Sequence, residues 1–379
     1  MTSLQVREVQ GAADVSAFIE AGRRAQMSNP RWIEPVRDEM RWALDKKRSP
    51  LMLENEIQPF VAFRDGEPVG RIAAVVDRAH LKKYQDSCGH FGLIDAIDDR
   101  DVFAALFDRA ADFLRRRGLL RMRGPFSLSI NHEIGVLIHG FDQPHVVRTN
   151  HAPAYYKNHI EALGLRKAMD VFAHVCTIAQ SDFPERVAAL AARFKGARDI
   201  RTYGLSLGRW STQFPRVLEL YNDAWKDNWS STPVGPAEAK MIAQLMLPVC
   251  RPSWIRMAQW RGEDIAVVSQ IPDVNEALEG LGGRLAPFGW ASLLWRIHGR
   301  GTRMTRIPMI GVASGWRGTR IGSMAVSLLL AEAIAQARRA GVEETEISWM
   351  LETNHAVLNL VESLPARHAR TFRIYERDL

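Results

Sequence analysis

The sequence has little of several features that mark special classes of protein. Its only three cysteines, Cys88, Cys176 and Cys250, lie far apart and form no Cys-x-x-Cys pair, which argues against a disulfide framework and a zinc knuckle. No stretch approaches the roughly 18 apolar residues of a membrane span, and the N-terminus lacks the basic start and apolar run of a secretory signal. We therefore predict a reduced, cytoplasmic protein without a bound metal.

What is present is typical of a globular chain. The 379 residues are 46% hydrophobic and 25% charged, and that length predicts two or three domains with substantial cores. Lys and Arg outnumber Asp and Glu by 50 to 43. This modest excess favours anionic partners, namely nucleic acid, a phosphorylated cofactor or an anionic membrane surface. Because the arginines are dispersed rather than massed in one stripe, nucleic acid is the least favoured of the three.

The two halves of the chain repeat one order of elements. Residues 60–76 and 255–271 each predict a β-hairpin, with its turn at Gly66 and Gly262. Each hairpin is followed by a strand, an amphipathic helix and a second strand. These elements are predicted at residues 90–98, 101–117 and 120–125 in the first half, and at residues 303–312, 323–339 and 344–351 in the second.

A helix and a strand close each half, at residues 154–163 and 169–177, and at residues 355–364 and 369–376. The second half carries an apolar insertion, residues 273–302. The repeat predicts two α/β domains, 1–180 and 181–379, joined near residues 180–199. One large mixed sheet is the alternative.

The motif that carries chemistry is Ile-Gly-Val-Ala-Ser-Gly-Trp-Arg-Gly-Thr-Arg-Ile-Gly-Ser at residues 310–323, in which a strand passes through a glycine-rich turn into a helix. Together with Asn354-x-Ala356-x4-Val361-Glu362 and the order of elements, it resembles the GNAT acyltransferase superfamily. The resemblance implies two tandem GNAT-like domains, each a mixed β-sheet flanked by helices. It also implies that acyl-CoA is a cosubstrate, with no tightly bound cofactor.

In that family this turn holds the pyrophosphate of coenzyme A, because a helix N-terminus offers unpaired N–H groups and a positive dipole end. The resemblance assigns the cofactor to Val312, Arg317, Gly318, Thr319, Arg320, Gly322 and Ser323. Arg320 replaces the first signature glycine. Its side chain either adds a second charge for the phosphates or obstructs them. We favour the first, and a plain strand-to-helix turn is the remaining alternative.

The corresponding connection in the first half, residues 95–101, is rich in aspartate. Carboxylates cap helix starts well and repel phosphate. We therefore predict that the first domain is a degenerate GNAT fold that lacks the pyrophosphate loop.

For catalysis, the resemblance places a carbonyl-polarising backbone N–H near Ile310. The family's tyrosine acid is replaced by Val361, so water or another side chain must protonate the leaving thiolate. Glu352 is our candidate base, although a surface or capping glutamate is equally compatible with its position. Asn354 belongs to the second motif named above, Asn354-x-Ala356-x4-Val361-Glu362. His132 and Glu133 are a second candidate for the general base.

Large aromatic residues suggest how a substrate binds. Trp225 and Trp229 are four residues apart and are predicted to share a helical face near Asn228, where they either line an acceptor pocket or belong to the core. In the insertion, Phe288, Trp290 and Trp295 precede several arginines. This segment predicts an acyl-chain tunnel wall, an amphipathic element on an anionic membrane, or a core helix.

Over nearly the whole chain the sequence is similar to a bacterial group of acyltransferases that includes ceramide synthases, which acylate the amine of a sphingoid base. We therefore predict an acyl-CoA-dependent N-acyltransferase with a long-chain, lipid-like substrate. The protein would lie in the cytoplasm, peripherally on the inner membrane. An acetyltransferase of a small polar amine and a non-catalytic ligand-binding protein are the alternatives, and the sequence leaves the oligomeric state open.

Overall fold

A computed structural model describes residues 3–379, in which thirteen strands and thirteen α-helices form. The strands are β1 (Leu4–Glu8), β2 (Glu56–Arg64), β3 (Glu67–Val76), β4 (Cys88–Ala96), β5 (Arg121–Gly124), β6 (Val136–His139), β7 (Arg166–Thr177), β8 (Ile200–Gly204), β9 (Ile255–Trp260), β10 (Glu263–Pro272), β11 (Met304–Val312), β12 (Glu344–Leu351) and β13 (Ala366–Asp378). The helices are α1 (Ala12–Gln26), α2 (Arg37–Ala43), α3 (Pro50–Glu54), α4 (Arg78–Tyr84), α5 (Arg100–Arg115), α6 (Tyr155–Ala162), α7 (Phe183–Arg193), α8 (Trp210–Trp225), α9 (Pro236–Met246), α10 (Val274–Leu278), α11 (Gly289–Leu294), α12 (Arg320–Arg339) and α13 (His355–Glu362).

The chain forms two compact units, and each unit is built from more than one segment of the sequence. The first holds the chain up to Val171 together with Leu278–Ala286 and Arg370–Leu379, and the second holds Phe172–Ala277 and Pro287–Ala369. The chain therefore leaves the first unit inside β7 and returns to it inside β13. The division into domains 1–180 and 181–379 stays a prediction.

In the first unit, strands β1 to β4 pair antiparallel in chain order, and β4 then pairs parallel with β5. The C-terminal strand β13 pairs antiparallel with both β5 and β6. The β2–β3 hairpin turns at Asp65 and Gly66, which both have positive φ, as the type I′ geometry requires. Helices α5 and α1 pack against opposite faces of β3, on the sides of Gly70 and Arg71 respectively.

The second unit repeats this pattern of pairing. Strands β8 to β11 pair antiparallel in chain order, and β11 pairs parallel with β12. The β9–β10 hairpin turns at Arg261 and Gly262, which again have positive φ. The predicted fold class, a mixed sheet flanked by helices, is confirmed, and the two predicted hairpins are both present.

The predicted elements agree closely with the observed ones. Strand β12 has the predicted bounds of residues 344–351, and α12 begins at Arg320 rather than at residue 323. The segment that was expected only to join the halves, residues 180–199, contains α7. In the insertion, α10 and α11 form, and a π-helical segment, Trp295–Arg300, follows α11.

Helix α12 is the central helix of the second unit. Its length and hydropathy would suffice to cross a membrane. However, ten of its residues are buried, and several of them pack with apolar residues of β9, β10, β11 and β12 in one hydrophobic core. On the opposite face of the sheet, Val217 and Leu220 of α8 pack against Met257 and Val267. The turn between β11 and α12 is thus held from both sides of the sheet.

Candidate active site

Strands β11 and β12 part in the middle of the second unit. Their parallel pairing runs from Met304 with Glu344 to Ile307 with Ile347 and then stops, whereas β11 stays paired with β10 as far as Val312. The register between β10 and β11 also shifts here, so that Ile307 and Pro308 face Gln270 alone. Such a bulge bends its strand, and Pro308 has no N–H to donate to a ladder. The sequence thus opens the sheet at this point.

The predicted polarising residue, Ile310, lies on the open stretch of β11. The amide of Ala313 donates to the carbonyl of Ile265 at 2.8 Å. Because backbone groups alternate sides along an antiparallel ladder, the N–H of Ile310, which pairs with Val268, points away from β10. It therefore points to the side from which β12 has departed. This is the geometry of a backbone donor for a developing oxyanion.

The turn after β11 is packed too tightly to accept a side chain at Gly322. A Cβ atom there would lie 2.2 Å from the carbonyl oxygen of Trp316 and 3.1 Å from Val312 Cγ1. The resemblance assigns this glycine to the cofactor. Its first effect is instead to let α12 start directly against its own loop. Gly318, with a φ of 69°, is the residue of the turn that needs glycine for its backbone conformation.

Only part of the predicted cradle has free donors. Thr319 caps α12: its hydroxyl accepts from the amide of Gly322 at 3.0 Å, and its carbonyl accepts from the amide of Ser323 at 3.0 Å. The amides of Gly318, Arg320 and Ile321 donate to no protein group within residues 3–379. Three backbone donors therefore meet the positive end of the α12 dipole, which is a favourable place for an anion.

The two arginines of the motif are in different situations. Arg317 donates to the Asp227 carboxylate at 2.8 Å and to the carbonyls of Asp223 and Ala224. Its guanidinium thus satisfies the C-terminal end of α8, where backbone carbonyls lack helical partners. Arg320 is exposed, and among the described residues its side chain has no ion-pair or hydrogen-bond partner. Of the two, Arg320 has its charge available for a ligand.

Asp223 fastens the turn to α8 from the other side. Its carboxylate accepts from the Ser314 amide at 2.6 Å, the Ser314 hydroxyl at 2.8 Å and Lys226 at 2.9 Å. Burial raises the pKa of Asp223, but the bonds from Lys226 and Ser314 outweigh it and lower the pKa to about 2. A low folded-state pKa means that this contact stabilises the fold above the unfolded pKa and is lost as the pH falls towards 2. The sequence analysis did not identify this residue.

Trp225 lies directly over the open strand. A Cβ atom on Gly311 would be 2.4 Å from Trp225 Cζ3 and 3.2 Å from the Ala224 Cβ, so the indole occupies the space that a side chain would take. The ring also stacks on Tyr221, with centroids 4.6 Å apart. Trp225 therefore packs on the residue that follows Ile310 in β11, and its substrate role stays a prediction.

Trp229 does not share a helical face with Trp225, so that prediction was wrong. Helix α8 ends at Trp225, and the amide of Asn228 closes a turn onto the Trp225 carbonyl at 2.9 Å. Trp229 and Asn228 follow this turn and are half-buried. Their substrate roles stay predictions.

The later motif is built around a helix cap. The Asn354 side chain accepts from the amide of Val357 and so begins α13. Glu352 lies half-buried in the turn after β12. Val361, where the family has its acid, is buried in the core of the second unit. That position supplies no proton, and the catalytic roles of Glu352 and Asn354 stay predictions.

The second candidate base lies in the first unit. The Glu133 carboxylate pairs with Arg148 at 3.3 Å, and Arg148 also pairs with Glu39 at 2.5 Å. Burial alone would raise the pKa of Glu133, but the positive charges of Arg148 and His132 lower that pKa by more, so its net shift is downward. A carboxylate held in this way is a weak proton acceptor. The proposed roles of His132 and Glu133 stay predictions, and this ion pair argues against Glu133.

The insertion presents large aromatic side chains to solvent. Phe288 is 81% exposed, Trp295 63% and Trp290 49%, whereas Leu293 and Ile297 are buried and anchor the segment. This division excludes a plain core helix. It also disfavours an internal tunnel wall, because the aromatic residues face outwards.

A buried polar cluster, which no sequence motif indicates, lies where β11 and β12 part. Arg306 donates to the Ser348 hydroxyl at 2.9 Å, and that hydroxyl donates to Glu346 at 2.6 Å. The guanidinium also lies 4.4 Å from the centre of the Trp349 ring. Arg306 and Glu346 are both buried. Charges buried in this way are kept only where they are paired, so the cluster fixes the two strands on either side of the opening.

The packing of Trp225 on Gly311 predicts a coupled pair. Gly311→Ala should lower the free energy of unfolding by about 1–3 kcal/mol, because the new methyl group forces the indole aside. In a Trp225→Ala background the same change should cost less than about 0.5 kcal/mol, because the ring is gone. Urea denaturation of the four proteins gives the coupling energy.

Gly315→Ala is the control for this cycle, since it lies in the turn that follows β11 and a Cβ there would contact nothing within 4 Å. It should leave stability unchanged within about 0.5 kcal/mol. Equal costs of Gly311→Ala in both backgrounds would show that the indole does not fill this space.

Comparisons with known proteins agree with this geometry. No protein-family model matches the chain. The chain is 36% identical over 377 residues to the bacterial ceramide synthase of Caulobacter vibrioides, which covers 99% of this chain and 98% of that protein. It is 35% identical over 376 residues to the protein YghO of Escherichia coli, which covers 99% of this chain and 95% of that protein.

Solved structures share the fold. A tandem GNAT protein from the clavulanic acid biosynthesis pathway superimposes with a TM-score of 0.57 at 13% identity, over 99% of this chain and 98% of that one. A GNAT protein of Sphaerobacter thermophilus gives a TM-score of 0.54 at 12% identity, over 99% and 95% of the two chains. With its parted strands and its helix-start turn, the chain has the tandem GNAT fold, and it belongs to the family of N-acyltransferases that includes the bacterial ceramide synthase.

Proposed function

We propose that this enzyme transfers a long acyl chain from acyl-CoA to the primary amine of a lipid-like acceptor such as a sphingoid base. The observation that carries the proposal is the group of three unpaired amides at the start of α12, those of Gly318, Arg320 and Ile321, beside the exposed Arg320 side chain. A pyrophosphate bound there would hang its pantetheine arm along the open stretch of β11. The thioester carbonyl would then reach the N–H of Ile310.

The proposed reaction transfers the acyl group from the thioester of acyl-CoA to the amine nitrogen of the acceptor. The amine nitrogen attacks the thioester carbonyl carbon, a C–N bond forms, and the Ile310 N–H stabilises the oxyanion. The C–S bond then breaks and coenzyme A leaves as a thiolate. The ammonium form of the amine loses one proton to become the nucleophile, and its nitrogen loses a second proton as the amide forms. Glu352 is the proposed base, acting directly or through water, and one of the two protons passes to solvent. With Val361 in the core, water delivers the proton to the thiolate.

Two features support a lipid-like substrate. The relative at 36% identity is named a ceramide synthase, and its product class is an N-acylated sphingoid base. In this chain Trp225 presents an apolar ring to the open strand, and Asn228 and Trp229 follow it. An apolar wall of this kind gains from each methylene it covers, by about 0.8 kcal/mol, whereas acetyl transfer needs no such wall.

The first test concerns coenzyme A. Arg320→Ala should weaken the binding of coenzyme A about tenfold in isothermal titration, because an exposed arginine loses a charge-assisted contact to phosphate. The matched control is Arg339→Ala, which removes an exposed arginine from the other end of the same helix and should change affinity less than twofold.

This pair is cleaner than a bulky substitution of Gly322, which would displace the Trp316 carbonyl and disturb the turn itself. Equal affinities of wild type and Arg320→Ala would contradict a role for Arg320. Absence of any heat with wild type at millimolar ligand would favour the non-catalytic alternative.

The second test concerns the substrate. We expect kcat/KM with palmitoyl-CoA to exceed that with acetyl-CoA by about a hundredfold or more when the acceptor is a sphingoid base, because a long chain buries many methylenes. Turnover is measured over a panel that also contains an amino acid and a polyamine. A preference for acetyl-CoA with a small polar amine would replace this proposal with the alternative function.

We further propose that the enzyme works in the cytoplasm and reaches its lipid substrate at the surface of the inner membrane. Phe288, Trp290 and Trp295 would insert at the level of the headgroups, where aromatic side chains are favoured. The neighbouring arginines add little charge, because Arg300 pairs with Glu276 at 3.6 Å and Arg303 with Glu343 at 2.7 Å.

The third test is sedimentation with vesicles that contain anionic phospholipid. Replacing Phe288, Trp290 and Trp295 by serine should lower the partition coefficient about tenfold, and added salt should change it little because the arginines are paired. The control replaces Leu190 and Leu207, which are also exposed, by serine. Equal pelleting of the aromatic variant and wild type would contradict membrane insertion, and loss of a dimer in the aromatic variant would assign the patch to a second copy.

A further inference from the structure

Three potential metal ligands meet in the first unit, outside the site described above. Among the described residues, one ligand-type atom each of His80, Cys88 and His90 lies within 4.8 Å of the other two. His80 belongs to α4, and Cys88 and His90 lie two positions apart at the start of β4, so their side chains leave the same face of the strand. All three residues are buried, with exposures of 0%, 0% and 1% respectively.

Two of these side chains carry a buried nitrogen with no hydrogen-bond partner, Nδ1 of His80 and Nε2 of His90. Leaving a buried polar atom unpaired costs about 1–3 kcal/mol, and native structures rarely carry two such atoms side by side. Their rings also contact each other, with centroids 4.5 Å apart. A cation between them would satisfy both nitrogens at once.

Asp86 sets His80 up for this role. Its Oδ1 atom lies 3.1 Å from His80 Nε2 and accepts from the amide of Cys88 at 3.2 Å. With its proton on Nε2 towards the carboxylate, His80 presents the lone pair of Nδ1. A carboxylate on the far nitrogen of a histidine ligand is the usual support of protein metal sites.

We propose that His80 Nδ1, Cys88 Sγ and His90 Nε2 bind one zinc ion that joins α4 to β4. Two imidazoles and a thiolate suit Zn²⁺ rather than Mg²⁺ or Ca²⁺, which prefer oxygen ligands. Cys88 gives up one proton to solvent as the ion binds, so the ion replaces the contact that the thiol makes with the Gly89 carbonyl at 3.5 Å.

This proposal departs from the sequence-based prediction of no metal. That prediction relied on the absence of a Cys-x-x-Cys pair. The ligands here follow the pattern His80-x7-Cys88-x-His90, in which one residue of α4 meets two residues at the start of β4.

The test begins with the full chain, purified under reducing conditions from zinc-supplemented medium and dialysed against metal-free buffer. We expect mass spectrometry of the metal content to find about one zinc ion per chain. Substitution by Co²⁺ should produce a thiolate-to-cobalt charge-transfer band. Both signals should persist in Cys176→Ser and Cys250→Ser, which change the two other buried cysteines, and both should be lost in Cys88→Ser.

Asp86→Asn guards against a variant that fails to fold, because this side chain is partly exposed and contacts no ion directly. It should retain the fold by circular dichroism and lower zinc affinity about 10–100-fold. Folded wild type that holds less than about a tenth of a zinc ion and shows no cobalt band would overturn the proposal, as would a band that survives Cys88→Ser.

Discussion

The site depends on one local event, the end of pairing between β11 and β12 after Ile307 and Ile347. A sheet normally closes every backbone donor onto a neighbour. Here the bulge at Ile307 and Pro308 bends one strand away, and the open stretch leaves the Ile310 N–H directed at the gap. The buried group of Arg306, Ser348 and Glu346 keeps both strands fixed on the paired side. Backbone atoms of β11 lie open at this point because the neighbouring strand β12 no longer pairs with them.

The charged residues at the turn before α12 differ in what they contact. Arg317 and Asp223 both make contacts between the turn and α8, and these contacts restrain the turn. Preorganisation of this kind reduces the entropy that binding must overcome. Arg320 replaces a glycine and remains available. Arg320, which replaces the first glycine of the family's signature, therefore adds an unpaired positive charge next to Arg317, whose own charge is paired with Asp227.

The order of elements was readable from the sequence because it rests on local signals. Alternating apolar residues gave the hairpins, and positive-φ turns at Gly66 and Gly262 fixed their ends. The glycine-rich turn before α12 was equally legible. Contacts between distant residues could not be predicted in this way. No spacing in the sequence indicates the hydrogen bond from Ser314 to Asp223 or the packing of the Trp225 indole on Gly311. The error at Trp229 has a local cause, since a four-residue spacing indicates one helical face only where the helix continues.

The exchange of the chain between the two units bears on how the protein is made. Strand β5 of the first unit pairs with residues 375–378 of β13, and these are translated after everything that precedes them. On the ribosome, the first half of the chain therefore emerges without the strand that covers the edge of its sheet, and an uncovered edge invites pairing with other chains. In the second unit, by contrast, strands β8 to β12 are consecutive in the chain. The first unit cannot complete its sheet until residues 370–379 have been made.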